Sequence, residues 1–337
     1  MNTTMNHVIS TMRIMQLKRC LVILSVFLVC LCSSDLIASG STDIIVDTKF
    51  VMDKIGKPGW VLLDMRSDEN FGKGHIPGAV ALPAWIPKIY ADDTKRMAPV
   101  VAQMEKTLGQ MGIGIDSHVI VYGTPSNTAS NTIMFWVLEL FGCNSNLLKC
   151  TVQYYDGGMD SWKADGGTLD QAETKPEPTI FKAADGTNRG AKVDEILRVI
   201  EDRQKSIILD IRTPGEYYGT DVRALRGGHI PGAINIDFTE NFSAETFRML
   251  PLDQLQSIYK GIPKDVRVIT HCQTGHRATY TYLVLRALGY QDVAIYHDGW
   301  RVYGSDPKLP VEDETWYDFN KINTTIRAVN KMQEKMK

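Results

Sequence analysis

Two periods alternate along this chain. Short apolar runs such as "VLLD" (61–64), "HVIVY" (118–122), "SIILD" (206–210) and "RVITH" (267–271) are bounded by polar or glycine-rich segments. Such runs read as strands buried on both faces. Between them, apolar residues recur at helical spacing. In the second half the alternation predicts a helix over 192–201, strands over 206–210 and 233–237, and a helix over 251–260. A strand over 267–271, a helix over 278–288 and a strand over 292–296 complete it. Strands alternating with helices imply an α/β fold, a mainly parallel sheet flanked by helices. At the end of the chain Trp316, Phe319, Ile322, Ile326 and Val329 fall at three- or four-residue spacing. That stripe predicts a C-terminal amphipathic helix within 311–337, docked on the body.

The pattern is written twice. "VLLDMRSDENFGKGHIPGAVALP" (61–83) is echoed by "IILDIRTPGEYYGTDVRALRGGHIPGAINID" (207–237), "LELFG" (138–142) by "LRALG" (285–289), and "VQYYDGG" (152–158) by "AIYHDGW" (294–300). A period of about 146 residues is far beyond that of a solenoid, so the copies are two homologous domains, 44–165 and 191–310. Residues 166–190, rich in Gly, Pro and charge, read as the linker.

The first 40 residues break the pattern. Lys18 and Arg19 precede the apolar run "CLVILSVFLVCLC" (20–32), and small residues follow. That order is a secretory signal peptide, and it places the mature protein in the periplasm or outside the cell. A membrane anchor is the less favoured reading, because the run is short for a span. Beyond the signal three cysteines remain: Cys143, Cys150 and Cys272. Cys143 and Cys150 are compatible with a disulfide or with two free thiols. Either way Cys272 is left over, a candidate reactive thiol. A net charge of -2 argues against a nucleic-acid binder. Neither half shows the Cys/His spacing of a metal site, and no cofactor is implied.

Cys272 opens a polar loop, Gln273, Thr274, Gly275, His276, Arg277, between a strand and a helix. Ligands of parallel sheets bind at such carboxyl ends. A loop entering a helix can point N–H groups inward, and the helix adds its positive end. Gly275 permits the curvature, and Arg277 adds a fixed positive charge. A cysteine in that field is expected to ionise readily and to carry an anionic group on sulfur.

Taken together, the doubled Asp-x-Arg and His-Ile-Pro-Gly-Ala elements and the cysteine loop followed by "YHDGW" resemble the tandem rhodanese, or sulfurtransferase, family over about residues 44–310. The resemblance implies two rhodanese-like domains. It also implies transfer of a sulfane sulfur from a small anionic donor such as thiosulfate or 3-mercaptopyruvate to a thiol or cyanide, through a Cys272 persulfide. A carrier that hands its sulfur to a partner protein would use the same loop. Protein phosphatases and arsenate reductases place five residues between cysteine and arginine; this loop has four, Gln273 to His276. The Gly-x-Arg ending differs from the best-known thiosulfate and mercaptopyruvate enzymes, which leaves the donor open. The oligomeric state is open too.

Matching "HVIVYG" (118–123) to "RVITHC" (267–272) sets Gly123 against Cys272, whereas counting back from Gly142 and Gly289 places Pro125 there; neither is a cysteine, so the first domain is expected to be silent. In such tandem proteins the silent half helps wall the cleft, and Trp85 and Tyr90 are candidates for that wall. Asp210, Arg212 and His229 have counterparts in Asp64, Arg66 and His75 of the half whose matching loop has no cysteine, which favours scaffold roles. Arg223 and Arg226 lie in an eight-residue insertion unique to the second half; they are candidates for greeting an anionic donor.

Overall fold

A computed structural model describes residues 44–82, 94–202, 205–318 and Lys331. The first half runs β1 (Ile45–Val46), α1 (Thr48–Lys54), β2 (Trp60–Asp64), α2 (Asp68–Gly72), β3 (Val80–Ala81), α3 (Thr94–Gln110), β4 (His118–Tyr122), α4 (Thr128–Asn131), α5 (Ile133–Leu140), β5 (Thr151–Tyr155) and α6 (Gly158–Ala164). The second runs β6 (Gly190–Ala191), α7 (Val193–Glu201), β7 (Ser206–Asp210), α8 (Pro214–Tyr217), β8 (Arg226–His229), β9 (Ile234–Asn235), α9 (Leu252–Ile258), β10 (Arg267–His271), α10 (His276–Ala287), β11 (Val293–Tyr296), α11 (Gly299–Tyr303) and β12 (Glu312–Trp316).

Each half carries a parallel five-stranded sheet, ordered β1-β5-β4-β2-β3 and β6-β11-β10-β7-β9. The two orders are the same once equivalent strands are matched, as the duplicated sequence requires. β4 and β10 lie at the centre, and the interiors of both are wholly buried. That is why they read as continuous apolar runs rather than as an alternation.

The halves share one core. Helices α5 and α10, equivalent in the two copies, lie against each other. Thr132 Oγ1 meets Thr279 Oγ1 at 2.7 Å, the Phe135 and Tyr282 rings are 6.4 Å apart, and buried Arg286 Nε donates to Glu139 Oε2 at 2.9 Å. Every one of these pairs joins positions 147 apart, so residue meets its own counterpart at successive turns. Contacts of that kind define a pseudo-two-fold interface, the intramolecular form of an isologous dimer. The linker is laid along the first half: Phe181 is buried, Thr179 N donates to Gly109 O and Ala184 N to Phe141 O.

Cys143 and Cys150 form a disulfide that closes the turn between α5 and β5. The start of the C-terminal tail corrects the helical reading. Glu312–Trp316 is a strand, antiparallel to β8, and Trp316 stands exposed on it. The β8 edge and buried Arg226 supply what a lone helix start there lacks: main-chain hydrogen bonds and an ion pair to Glu314 at 2.9 Å. Phe319 to Val329 lie outside the described residues, as do Trp85 and Tyr90.

Candidate active site

Cys272 follows the last residue of the central strand β10. It is a free thiol, 1% exposed. The loop after it is shaped by α11. Trp300 N donates to the Cys272 carbonyl at 2.8 Å and Arg301 N to the Gln273 carbonyl at 2.9 Å. In a trans peptide the N–H points opposite to the C=O, so the N–H groups of Gln273 and Thr274 are turned away from α11. Two glycines make the close approach possible. Gly299 has φ +62°, and a Cβ there would fall 2.5 Å from the Cys272 carbonyl oxygen. Gly275, the N-cap of α10, has φ +83°, and a Cβ there would fall 2.6 Å from the His297 ring. The "HDGW" element is thus the brace of the cysteine loop, and the loop ends on the positive end of a twelve-residue helix.

At the far end of the loop stands a carboxylate that sequence reasoning missed. Buried Glu216 accepts from Arg277 Nη1 at 2.7 Å and Nη2 at 2.8 Å, and from Arg223 Nη1 at 3.3 Å. Thr213 closes a capping box with it. Gln273 Nε2 donates to the Arg223 carbonyl at 2.7 Å. The Arg277 guanidinium lies 5.7 Å from the centre of the Phe238 ring. Burial alone would raise the Glu216 carboxyl; the hydrogen bonds and charge of Arg277 outweigh it and hold the group below its ordinary value. His276, the first residue of α10, is partly buried, as are Thr274 and Arg277.

A family model described as "Rhodanese-like domain" matches residues 47–165 and again 192–306. The chain belongs to the rhodanese-like family. A thiosulfate sulfurtransferase of Pseudomonas aeruginosa is 29% identical over 274 residues, covering 80% of this chain and 97% of the relative. One of Corynebacterium glutamicum is 30% identical over 285 residues, covering 80% and 90%. Among solved structures, a 3-mercaptopyruvate sulfotransferase of Escherichia coli matches with a TM-score of 0.61 at 25% identity, over 77% of this chain and 99% of that one.

The two rhodanese-like halves now serve as controls for each other. Arg212 Nη2 donates to the Gly228 carbonyl at 2.8 Å, and Arg66 Nη2 to the Gly74 carbonyl at 2.9 Å. Each arginine also grips its aspartate, Asp210 or Asp64. His229 and His75 each stack on an aromatic ring at 3.7 Å, Tyr217 or Phe71. A constellation kept whole beside no cysteine is scaffold. In the second half Asp210 also lies 3.5 Å from Nε2 of His271, the residue before Cys272. Burial drives His271 toward neutral imidazole against the pull of Asp210. Burial would raise Asp210, but the charges of His271 and Arg212, with the hydrogen bonds from Arg212, hold it low.

Two expectations change. Arg226 does not greet a ligand: it is 3% exposed, and it donates to the Leu309 carbonyl at 3.1 Å as well as to Glu314. It ties β12 to the body. Arg223 does lie beside the loop. The residue equivalent to Cys272 is also Gly123 rather than Pro125. Met159 N donates to the Gly123 carbonyl at 3.0 Å, as Trp300 does to Cys272. A Cβ on Gly123 would fall 2.1 Å from Asn131 Oδ1, so the Asn131 amide fills the silent half's sulfur position. The first-half loop is two residues longer than the second, so counting back from its helix misses the equivalence.

Glu216 sets an acid limit on the site. Its pKa is lower folded than unfolded, so its stabilisation is present at neutral pH and is lost as pH falls through the carboxylate range. The gap in thermal midpoint between wild type and Glu216→Gln is expected to be widest near neutrality and to close below about pH 4. Melting curves across pH check this, and a gap that stays constant would sink it.

Proposed function

We propose that this protein is a sulfurtransferase that carries a sulfane sulfur on Cys272. The observation that carries the reading is the free Cys272 at the start of a loop whose carbonyls are drawn toward α11 and whose N–H groups are left for an anion. The Cys272 thiolate attacks the outer sulfur of thiosulfate. The donor's S–S bond breaks, sulfite leaves with the electron pair, and a Cys272 persulfide anion forms. Cyanide or an acceptor thiol then attacks the outer sulfur and releases the Cys272 thiolate. This is covalent catalysis in two steps, and ping-pong kinetics follow from it. With 3-mercaptopyruvate the donor's C–S bond breaks instead, and pyruvate leaves as its enolate, which takes a proton from solvent. The names of the relatives support both donors, and Gln273, Thr274, Gly275 and His276 form the cradle.

The test is the intact mass of the protein after incubation with thiosulfate. A gain of one sulfur, about 32 Da, that is lost on adding cyanide supports the reading. A loaded protein that transfers sulfur only to a partner protein is a carrier. No gain with either donor rejects the reading. We also place the mature protein in the periplasm or outside the cell. The Cys143–Cys150 disulfide supports this, because such bonds persist in oxidising compartments.

A further inference from the structure

We infer that Glu216 is a positioning residue that divides the work of two arginines: it holds Arg277 to the cysteine loop and leaves Arg223 as the cation that meets the donor. The inference deepens the sulfurtransferase reading, and it rests on that reading for the donor's negative charge.

Arg277 closes the loop that Cys272 opens, and its charge is the obvious one to assign to an incoming anion. The geometry argues otherwise. Both terminal nitrogens of Arg277 face the Glu216 carboxylate at 2.7 and 2.8 Å, a bidentate pair whose charges cancel. Glu216 is 1% exposed and the Arg277 side chain 17%, so solvent weakens the pair little. Arg223 has the opposite character. Its side chain is 52% exposed and touches Glu216 through one nitrogen only, at 3.3 Å. Its carbonyl, however, is tied to the loop by Gln273 at 2.7 Å. It is therefore a cation with a fixed base and a free face beside the site. Two arginines and one carboxylate sum to one positive charge, and the accessible share of it is on Arg223.

The silent half gives the comparison. Ser67 caps Asn70 N at 3.3 Å as Thr213 caps Glu216 N at 3.3 Å, which places Asn70 at the position of Glu216. Ser130 stands where Arg277 does, and the insertion bearing Arg223 is missing. All three members of the triad are absent from the half whose loop lacks the cysteine, whereas the Asp-Arg-His scaffold is present in both. A triad needed only for folding would have no reason to follow the cysteine.

The test uses the full protein and two alkylating agents of nearly equal size, anionic iodoacetate and neutral iodoacetamide. Reaction at Cys272 is followed by intact mass. The ratio of the two rates reads the field at the sulfur and needs no sulfur donor. Arg223→Gln, an exposed change that leaves folding intact, is expected to lower the iodoacetate-to-iodoacetamide ratio about fivefold, and Glu216→Gln to raise it by a similar factor, as one unit charge at short range requires. With thiosulfate, Arg223→Gln raises KM with kcat unchanged. Glu216→Gln lowers kcat about tenfold or more without raising KM, as loss of positioning does. A ratio unchanged in Arg223→Gln overturns the inference. So does a Glu216→Gln protein in which both alkylation rates fall in step with thermal stability, since that is a structural role alone. If the ratios move as expected but no donor loads the wild type, the sulfurtransferase reading fails while the division of labour stands.

Discussion

Replacing Cys272 by serine is expected to remove sulfur transfer, with turnover falling by at least about a thousandfold, the scale seen when a covalent nucleophile is lost. A serine hydroxyl in the same cradle is not ionised near neutral pH and cannot form a persulfide. The residue is 1% exposed, and oxygen is smaller than sulfur, so the loop and its brace from α11 remain. The thermal midpoint is therefore expected to change little while steady-state thiocyanate formation disappears. Retention of more than a tenth of the wild-type rate would sink Cys272 as the sulfur carrier. The silent half offers no rescue, because Gly123 stands in the equivalent position with Asn131 against it.

The second large effect is expected at Gly299. Alanine there would meet the Cys272 carbonyl at 2.5 Å and the Gln273 carbonyl at 2.9 Å, in a backbone conformation of φ +62°. The left-handed conformation and the forced movement of two carbonyls together cost about 3 kcal/mol. The loop moves with its carbonyls, and a shift on the order of 1 Å at a reacting group is worth about a hundredfold in rate. Gly158→Ala is the mirror experiment. Its Cβ would fall 2.0 Å from the Gly123 carbonyl at φ +45°, so it is expected to destabilise the protein comparably. It disturbs the silent loop, so the rate per folded molecule is expected to hold. Chemical denaturation and rate, measured on both variants, separate brace from bulk stability. Equal losses of rate per folded molecule would show that Gly299 has no special tie to the cysteine loop.

Much of the architecture was legible in the residues. The central strands 206–210 and 267–271 were read at their full length, because strands buried on both faces show as unbroken apolar runs. The flanking helices agree to within two residues at each end. What escaped were elements with no period of their own. Helix α8 has four residues, too few for a repeat, and with it went Glu216, whose signal was the contrast with Asn70 in the other copy. Strand β8 reads "RGGH", with no apolar pattern at all. It is a strand because β12 pairs with it, and β12 in turn was hidden inside a stripe of helical spacing.

The sequence by itself determined the duplication, the α/β class, the leftover cysteine beyond the first 40 residues and the lack of a cysteine in the matching loop of the first half. All four follow from patterns that are local in the chain: a repeat, a hydrophobic period, a residue count. Only the tertiary structure decided that Cys143 and Cys150 pair, that Arg226 is an anchor, that Gly123 rather than Pro125 is the counterpart of Cys272, and that Glu216 holds the loop's arginine. Each of these depends on which group stands within about 3 Å of another, the range over which hydrogen bonds act and neighbouring charges act most strongly. Arg226 and Glu314 are 88 residues apart, and Glu216 and Arg277 61 apart. No periodicity in the sequence records such distances.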